Sequence, residues 1–350
     1  MRRSGLMLVA VAAAGVLVVA GCGSGGGTST SQSTAAGNAA SGSVGSGKAV
    51  NIAYLSFAVT NSYDAPMLAA AKTEAADSNA TVTVFDANND PKAQYSQLQN
   101  AITSGKYQGI ITQPIEGTNL IPLVKQAITK GIKVVNIDQI LGSDLSTDKP
   151  QVKGLSANVT FVPTTIGTQL GQQVVKACAA KKLDPCNVGY LYDIKASSLD
   201  VALHKAFQSA IASTSSVKVV ATGQDFFTPA GGVTAVQDML QAHPELNLIV
   251  GTDQGLEGAL QVLTSTHKTG KIIFVGYGAS AAGVQGVKDG TWFSDVAQAP
   301  ASEGRLGVKA LIEAIRTGKD SGAIDPVAEL PDGGVVTKAN VAQFTAEWPG

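Results

Sequence analysis

Arginine is nearly missing from this chain. Four occur in 350 residues, and two of them, Arg2 and Arg3, stand at the extreme N-terminus. That leaves little means of clamping phosphate, sulfate or carboxylate ligands, which favour bidentate guanidinium forks. Charge of either sign is scarce: Asp, Glu, Lys and Arg make up 15%, with 25 basic against 26 acidic residues. So even a balance excludes nucleic-acid binding by bulk charge. Three Cys and three His are too few for a multi-metal centre or a disulfide-dense scaffold. His204, His243 and His267 are scattered, and neither H-E-x-x-H nor a calcium-loop ladder of Asp and Asn occurs; no metal and no cofactor are expected. The first strand runs into Ser56-Phe57-Ala58-Val59-Thr60-Asn61, with no glycine-rich phosphate loop after it. No G-x-S-x-G elbow is present. No catalytic residue is nominated, and the chain is expected not to be an enzyme.

What is present is a hydrophobic fraction of 44%, enough to build cores and to exclude disorder for the body of the chain. The length suggests two domains. The start is not fold. Arg2 and Arg3 precede the apolar run Leu6–Ala20, LMLVAVAAAGVLVVA, which is short of the roughly 20 residues of a membrane span. Residues 1–21 therefore read as an export signal. Val19-Ala20-Gly21-Cys22 resembles a bacterial lipobox, which implies cleavage before Cys22 and diacylglycerol on its sulfur. Residues 22–48 read as a flexible tether, since 23–47 are Gly, Ser, Thr, Ala, Asn and Gln with only Val44 of any bulk. The body is then expected outside the cytoplasmic membrane, lipid-anchored to its outer face. There an even pair, Cys178 and Cys186, suggests a disulfide; two buried free thiols are the alternative.

The body alternates strand and helix. Strands are expected over Ala49–Ser56, Thr81–Phe85, Gly109–Thr112 and Ile132–Ile137, with helices over Asp64–Ser78, 91–104 and Asn119–Lys130. Asp90-Pro91 reads as N-cap and first helical residue. The alternation then begins again: a helix carrying Ile166, Leu170 and Val174, strands over Val188–Tyr192, Val217–Ala221, Leu246–Val250 and Lys271–Val275, and helices between them. Thr228-Pro229 opens one of these, and Val308, Leu311, Ile312 and Ile315 form the stripe of a last helix. Two α/β halves with parallel sheets follow. Periodicity leaves open whether the halves are contiguous or exchange segments.

In open α/β sheets ligands sit beyond the carboxyl ends of the strands. Those ends carry Asn61, Ser62, Tyr63 and Asp64; Gln113; Asp138 and Gln139; Asp193 and Lys195; Asp225, Phe226 and Phe227; Thr252, Asp253 and Gln254; Tyr277 and Gly278; and Gln298. Amides, carboxylates, hydroxyls and rings suit a neutral polyhydroxylated ligand. Polar side chains pair with its hydroxyls, and rings stack on its C–H face. Taken singly, several of these residues are equally good turn formers or helix caps.

The chain resembles a type I periplasmic sugar-binding protein of ABC importers, of the ribose-binding-like group. The markers run in order from Asn51-Ile52-Ala53-Tyr54-Leu55 through Phe85–Pro91, Ile132–Asp138, Thr252–Leu260 and Val275-Gly276-Tyr277 to Asp289-Gly290 and Gln298. The resemblance implies two Rossmann-like doubly wound lobes with parallel sheets joined by a three-crossover hinge, 49–157 plus 299–325 and 158–298 plus 326–350. It places crossovers near Ser156–Asn158, Gln298–Pro300 and Asp325. The ligand-binding residues it nominates, with the strand-end inventory, are Asn61, Tyr63, Asp64, Asp138, Gln139, Phe226, Thr252, Asp253, Tyr277 and Gln298. Asn61, Asp138 and Gln298 match pocket positions, and Phe226 matches a stacking Phe. Gln139, and Val201 or Asp200, stand where ribose binders carry Arg, and Gly278 replaces a hydroxyl-binding Asp. Those departures point away from ribose, toward a larger, less polar, differently hydroxylated or cationic ligand. The implied partners are a small neutral sugar or polyol, an ABC permease and the membrane through Cys22, with no nucleic acid and a monomeric state. A signalling receptor for a sugar-like ligand is the alternative role.

Overall fold

The computed structural model describes residues 47–350. The expected export signal, Cys22 and the expected tether up to Ser46 lie outside the described residues. The first half runs β1 (Val50–Ser56), α1 (Asp64–Asp77), β2 (Ala80–Asp86), α2 (Pro91–Ser104), β3 (Gly109–Thr112), α3 (Ile121–Thr129), β4 (Lys133–Asp138) and β5 (Ala157–Thr160). The second runs α4 (Pro163–Ala180), β6 (Cys186–Tyr192), α5 (Ser198–Ile211), β7 (Val217–Gln224), α6 (Pro229–Ala242), β8 (Leu248–Thr252), α7 (Asp253–Ser265), β9 (Ile273–Gly278), α8 (Ala281–Asp289) and β10 (Trp292–Ala297). Then come α9 (Pro300–Thr317), β11 (Gly322–Ile324) and β12 (Val335–Thr337).

Local chemistry sets several helix starts. The Asp90 side chain accepts from the N–H groups of Lys92 and Ala93, with Pro91 at the first helical position. Thr228 does the same for Gly231 ahead of Pro229. Each cap satisfies a backbone donor that the helix itself leaves free.

The two sheets repeat one topology. The first has the order β11-β5-β4-β3-β1-β2 and the second β12-β10-β9-β8-β6-β7. All pairs are parallel except β12 on β10, which is antiparallel, so the sheets are parallel but for that one edge. The halves exchange segments. Helix α9 returns to the first sheet and packs on α1 and β4. β11 pairs with β5, and β12 lies back on the second sheet. The chain thus crosses three times between lobes, after β5, after β10 and after β11. Because β5 pairs with β4 as far as Thr160, the first crossing follows Thr160, beyond the 157/158 boundary expected from sequence.

Each sheet is buried on both faces, as crossover helices require. Alternation does this in β1: Ile52 and Tyr54 face Met67 and Leu311 from α1 and α9, while Ala53 and Leu55 face Leu98 and Val124 from α2 and α3. In the second lobe Val188 and Tyr190 meet Leu170 and Phe207, and Leu191 meets Val236 and Leu256. Cys178 at the end of α4 and Cys186 at the start of β6 form a disulfide with sulfurs 2.08 Å apart.

Candidate functional site

The carboxyl ends of both sheets face one cleft, which holds about 520 Å³ of space, part of it open to solvent. Fourteen residues line it: Phe57, Asn61, Tyr63, Asp64, Asp138 and Gln139 on the first-lobe side, and Phe161, Leu199, Phe227, Thr252, Gln254, Tyr277, Gln298 and Trp348 on the second. Eight of the ten ligand-binding residues expected from sequence are therefore gathered at one place. No Lys, Arg or His is among the lining residues. No cluster of three or more His, Cys, Asp or Glu suited to a metal ion occurs among the described residues.

The first wall is organised by Gln113, fully buried just beyond β3. Its carbonyl oxygen accepts from the Phe57 N–H at 3.0 Å, so its amide NH₂ must point the other way. There it donates to Asp64 Oδ1 at 2.5 Å and to Asp138 Oδ2 at 3.1 Å. One amide thereby fixes two carboxyls side by side. Asn61 makes a local turn, accepting from Tyr63 N–H at 2.8 Å, and this aims Tyr63 so that its hydroxyl donates to the buried Glu303 at 2.9 Å. Asp138 sits at the end of β4 with φ 65°, a left-handed backbone that costs a non-glycine residue energy and recurs at binding sites.

The second wall rests on buried carboxyls behind it. The Tyr277 hydroxyl donates to Asp193. Thr252 Oγ1 donates to Asp225 Oδ2 at 3.1 Å. The side-chain amides of Gln139 and Gln298 have no hydrogen-bond partner in the protein among the described residues, and both lie on the cleft. Both amides are free to donate and to accept.

Burial without a countercharge sets the electrostatics. Asp64 lies well above the usual carboxylate range, first because it is buried and then because Asp138 stands near it. Burial pushes Asp138 up to about 7, with the Gln113 hydrogen bond opposing. Glu303 is raised by burial and by Asp138. Asp225 is pushed up to about 7 by burial. Burial raises Tyr63 and Tyr277 well above the usual phenol range, so both stay protonated and donate.

Two expectations are corrected. Phe226 is 56% exposed, and Phe227 takes the cleft position, meeting Phe57 edge to face at 6.3 Å. The cause is local. Asp225 Oδ1 accepts from the Phe227 N–H at 2.9 Å, and both Phe226 and Phe227 are left-handed, φ 57° and 55°. That turn sends the first ring outward and the second inward. Asp253 is fully buried beneath the cleft, accepting from Ser280 N–H at 2.7 Å, and does not line it. At the second expected arginine position, Leu199 is what reaches the cleft; Val201 is exposed, and Asp200 accepts from the backbone of Asp193 and Ile194. Gln254, named among the strand ends but not among the ten, also lines the cleft, and sequence reasoning missed Phe57, Phe161, Leu199 and Trp348. Phe57 directly follows β1 and could have been found as a strand-end aromatic, whereas Phe161 follows β5, a strand of four residues that carries no period of its own. Nothing local marks Trp348.

Comparison with known proteins fits this geometry. Residues 52–320 match the family model described as "Periplasmic binding protein domain". The D-allose-binding periplasmic protein of Escherichia coli K12 is 25% identical over 273 residues, 77% of this chain and 85% of that protein. The xylitol-binding protein of Mycolicibacterium smegmatis is 27% identical over 258 residues, 73% of this chain and 68% of that protein. An ABC transporter solute-binding protein from Mycobacterium smegmatis, solved with bound glycerol, superposes with a TM-score of 0.72 at 24% identity, covering 86% of this chain and 99% of that one. Likeness at that identity speaks for the fold alone.

Proposed function

Because the chain belongs to the periplasmic binding protein domain family, we propose that it is an extracytoplasmic, lipid-anchored solute-binding protein. In this reading it captures a sugar or polyol between its lobes and delivers it to an ABC importer. The observation that carries the ligand class is the cleft lining: carboxyls, amides and hydroxyls interleaved with six aromatic side chains drawn from both lobes, and no cation. Asp64 and Asp138 accept from ligand hydroxyls, Gln139 and Gln298 supply amides that both donate and accept, and the rings cover C–H faces. Buried polar groups left without partners cost about 1–3 kcal/mol each, which discriminates among hydroxyl patterns. The names of the sequence relatives, D-allose and xylitol binders among them, support the same class. The anchor rests on the lipobox at Val19–Cys22.

Ligand bridging both walls completes its hydrogen bonds only when the lobes are closed, so binding shifts the hinge equilibrium. The permease then engages the closed monomer. A thermal-shift screen of the body against D-allose, D-ribose, xylitol, myo-inositol and glycerol tests the ligand class. A true ligand at 100 times its Kd adds about 2.7 kcal/mol of stability. Silence toward every carbohydrate and polyol, with a response to an organic anion, overturns the reading. Partition of the full-length protein into the membrane fraction, and its loss in Cys22→Ser, checks the anchor.

A further inference from the structure

The end of the chain spans the two lobes. Its root is in the second: Phe344 packs in that core, and the carbonyls of Trp348 and Pro349 accept from the N–H groups of Ala281 and Ala282 at 2.9 and 3.2 Å. Those are donors that the first turn of α8 leaves free. Its side chains reach the first lobe. Glu347 accepts from the Ser302 N–H at 2.8 Å and from its hydroxyl at 2.5 Å. The Trp348 ring meets Tyr63 edge to face at 5.3 Å, while its indole N–H donates to the Gly278 carbonyl at 2.8 Å. Gly278 makes the room. A β-carbon there would stand 2.6 Å from Trp348 Cζ2, and its φ of 144° disfavours any other residue. A side chain at 278 and an indole at 348 exclude each other in this arrangement.

We propose that Trp348 is a ligand-contacting, specificity-setting residue of the cleft, brought by the C-terminal tail into space that Gly278 leaves open. The inference rests on the carbohydrate reading above. The indole N–H is already used on Gly278 and the residue is 5% exposed, so the part of the ring that lines the cleft offers a rigid apolar face and no hydrogen bond. A ligand gains from that face by turning contiguous C–H groups toward it while its hydroxyls meet the carboxyls and free amides. A pyranose or cyclitol ring holds such a face; an open-chain polyol does not. The cleft therefore favours the ring.

Calorimetric titration of the full body with D-allose, myo-inositol and xylitol tests this. The wild type is expected to bind a ring ligand at least tenfold more tightly than xylitol. Trp348→Ala is expected to lose tenfold or more on the ring ligand, and Trp348→Phe, which keeps a ring on the tail, to recover most of it. Fluorescence supplies a second readout. The chain has two tryptophans, and Trp292 is buried in the second core against Phe274. The ligand-induced emission change is expected to survive Trp292→Phe and vanish in Trp348→Phe. A Trp348→Ala affinity within twofold of wild type, or an emission change that persists in Trp348→Phe, overturns the inference and leaves the carbohydrate reading standing. A wild type that prefers xylitol overturns the ring preference. A wild type that binds none of the three, nor any other carbohydrate, overturns the reading and the inference together.

Discussion

At the residue scale, Asp138 concentrates the chemistry of the first wall. It is buried, held by Gln113 and raised to about 7, whereas in an unfolded chain it titrates near 4. Between those values the folded state holds a proton that the unfolded state has released. By linkage, the ligand-free protein gains stability as pH falls from about 7 toward 4 and loses it as pH rises through 7. Asp225 and Asp253, raised to about 7 and about 6 by burial, add to the same slope. Asp138→Asn is expected to flatten part of it and to raise the ligand-free Tm at pH 8 by several degrees; melts at pH 5, 6.5 and 8 check this. Binding responds oppositely: Asp138→Ala is expected to weaken the cognate sugar roughly 5- to 150-fold, the equivalent of one buried hydrogen bond at about 1–3 kcal/mol. Asp138 was legible because the residue at a strand's carboxyl end is placed by topology alone. The choice between Phe226 and Phe227 was not, because it depends on a left-handed turn fixed by the Asp225 side chain. Trp348 was not legible because its place depends on a glycine 70 residues earlier.

At the scale of elements, two helix pairs pack through the same device, one in each lobe. A β-carbon on Gly304 of α9 would stand 2.0 Å from the Met67 carbonyl oxygen of α1, and one on Gly167 of α4 2.1 Å from the Leu203 carbonyl oxygen of α5. Both neighbours are backbone and cannot step aside alone. Gly304→Ala and Gly167→Ala are each expected to cost about 1–3 kcal/mol, the range for overpacking a filled interface. Urea melts would read this as a lower midpoint at unchanged slope; a gain in stability would contradict the close approach. Helices such as α2 and α6 could be read from sequence because their starts are local: Asp90-Pro91 and Thr228-Pro229 carry the cap within three residues. The strands β5, β11 and β12 could not. They have four, three and three residues, too short for a period, and take their places by pairing with distant strands. β10 was hidden differently: Ser294 and Asp295 are buried within it, which breaks the apolar run of a central strand.

At the scale of the whole molecule, the balance between open and closed lobes decides affinity. Several contacts join the two walls of the cleft directly. Gln254 donates to Asn61 Oδ1 at 3.2 Å and to Ser62 Oγ at 3.0 Å. Asn61 reaches the Phe227 carbonyl at 3.5 Å, the rings of Phe57 and Phe227 touch, and Glu347 and Trp348 cross from the tail. A hydrogen bond contributes about 0.5–1.5 kcal/mol net, so the loss of one or two of these contacts shifts the balance between open and closed lobes. Gln254→Ala removes two of these bonds. Apparent affinity scales with the fraction of closed, binding-competent protein, so a several-fold loss is expected, smaller than for Asp138→Ala. The radius of gyration separates this effect from loss of a ligand contact. In scattering, ligand-free Gln254→Ala should be more expanded than ligand-free wild type, and saturating sugar should bring both to the same compact value. Equal radii without ligand, together with a lost affinity, would make Gln254 a ligand contact and not a latch.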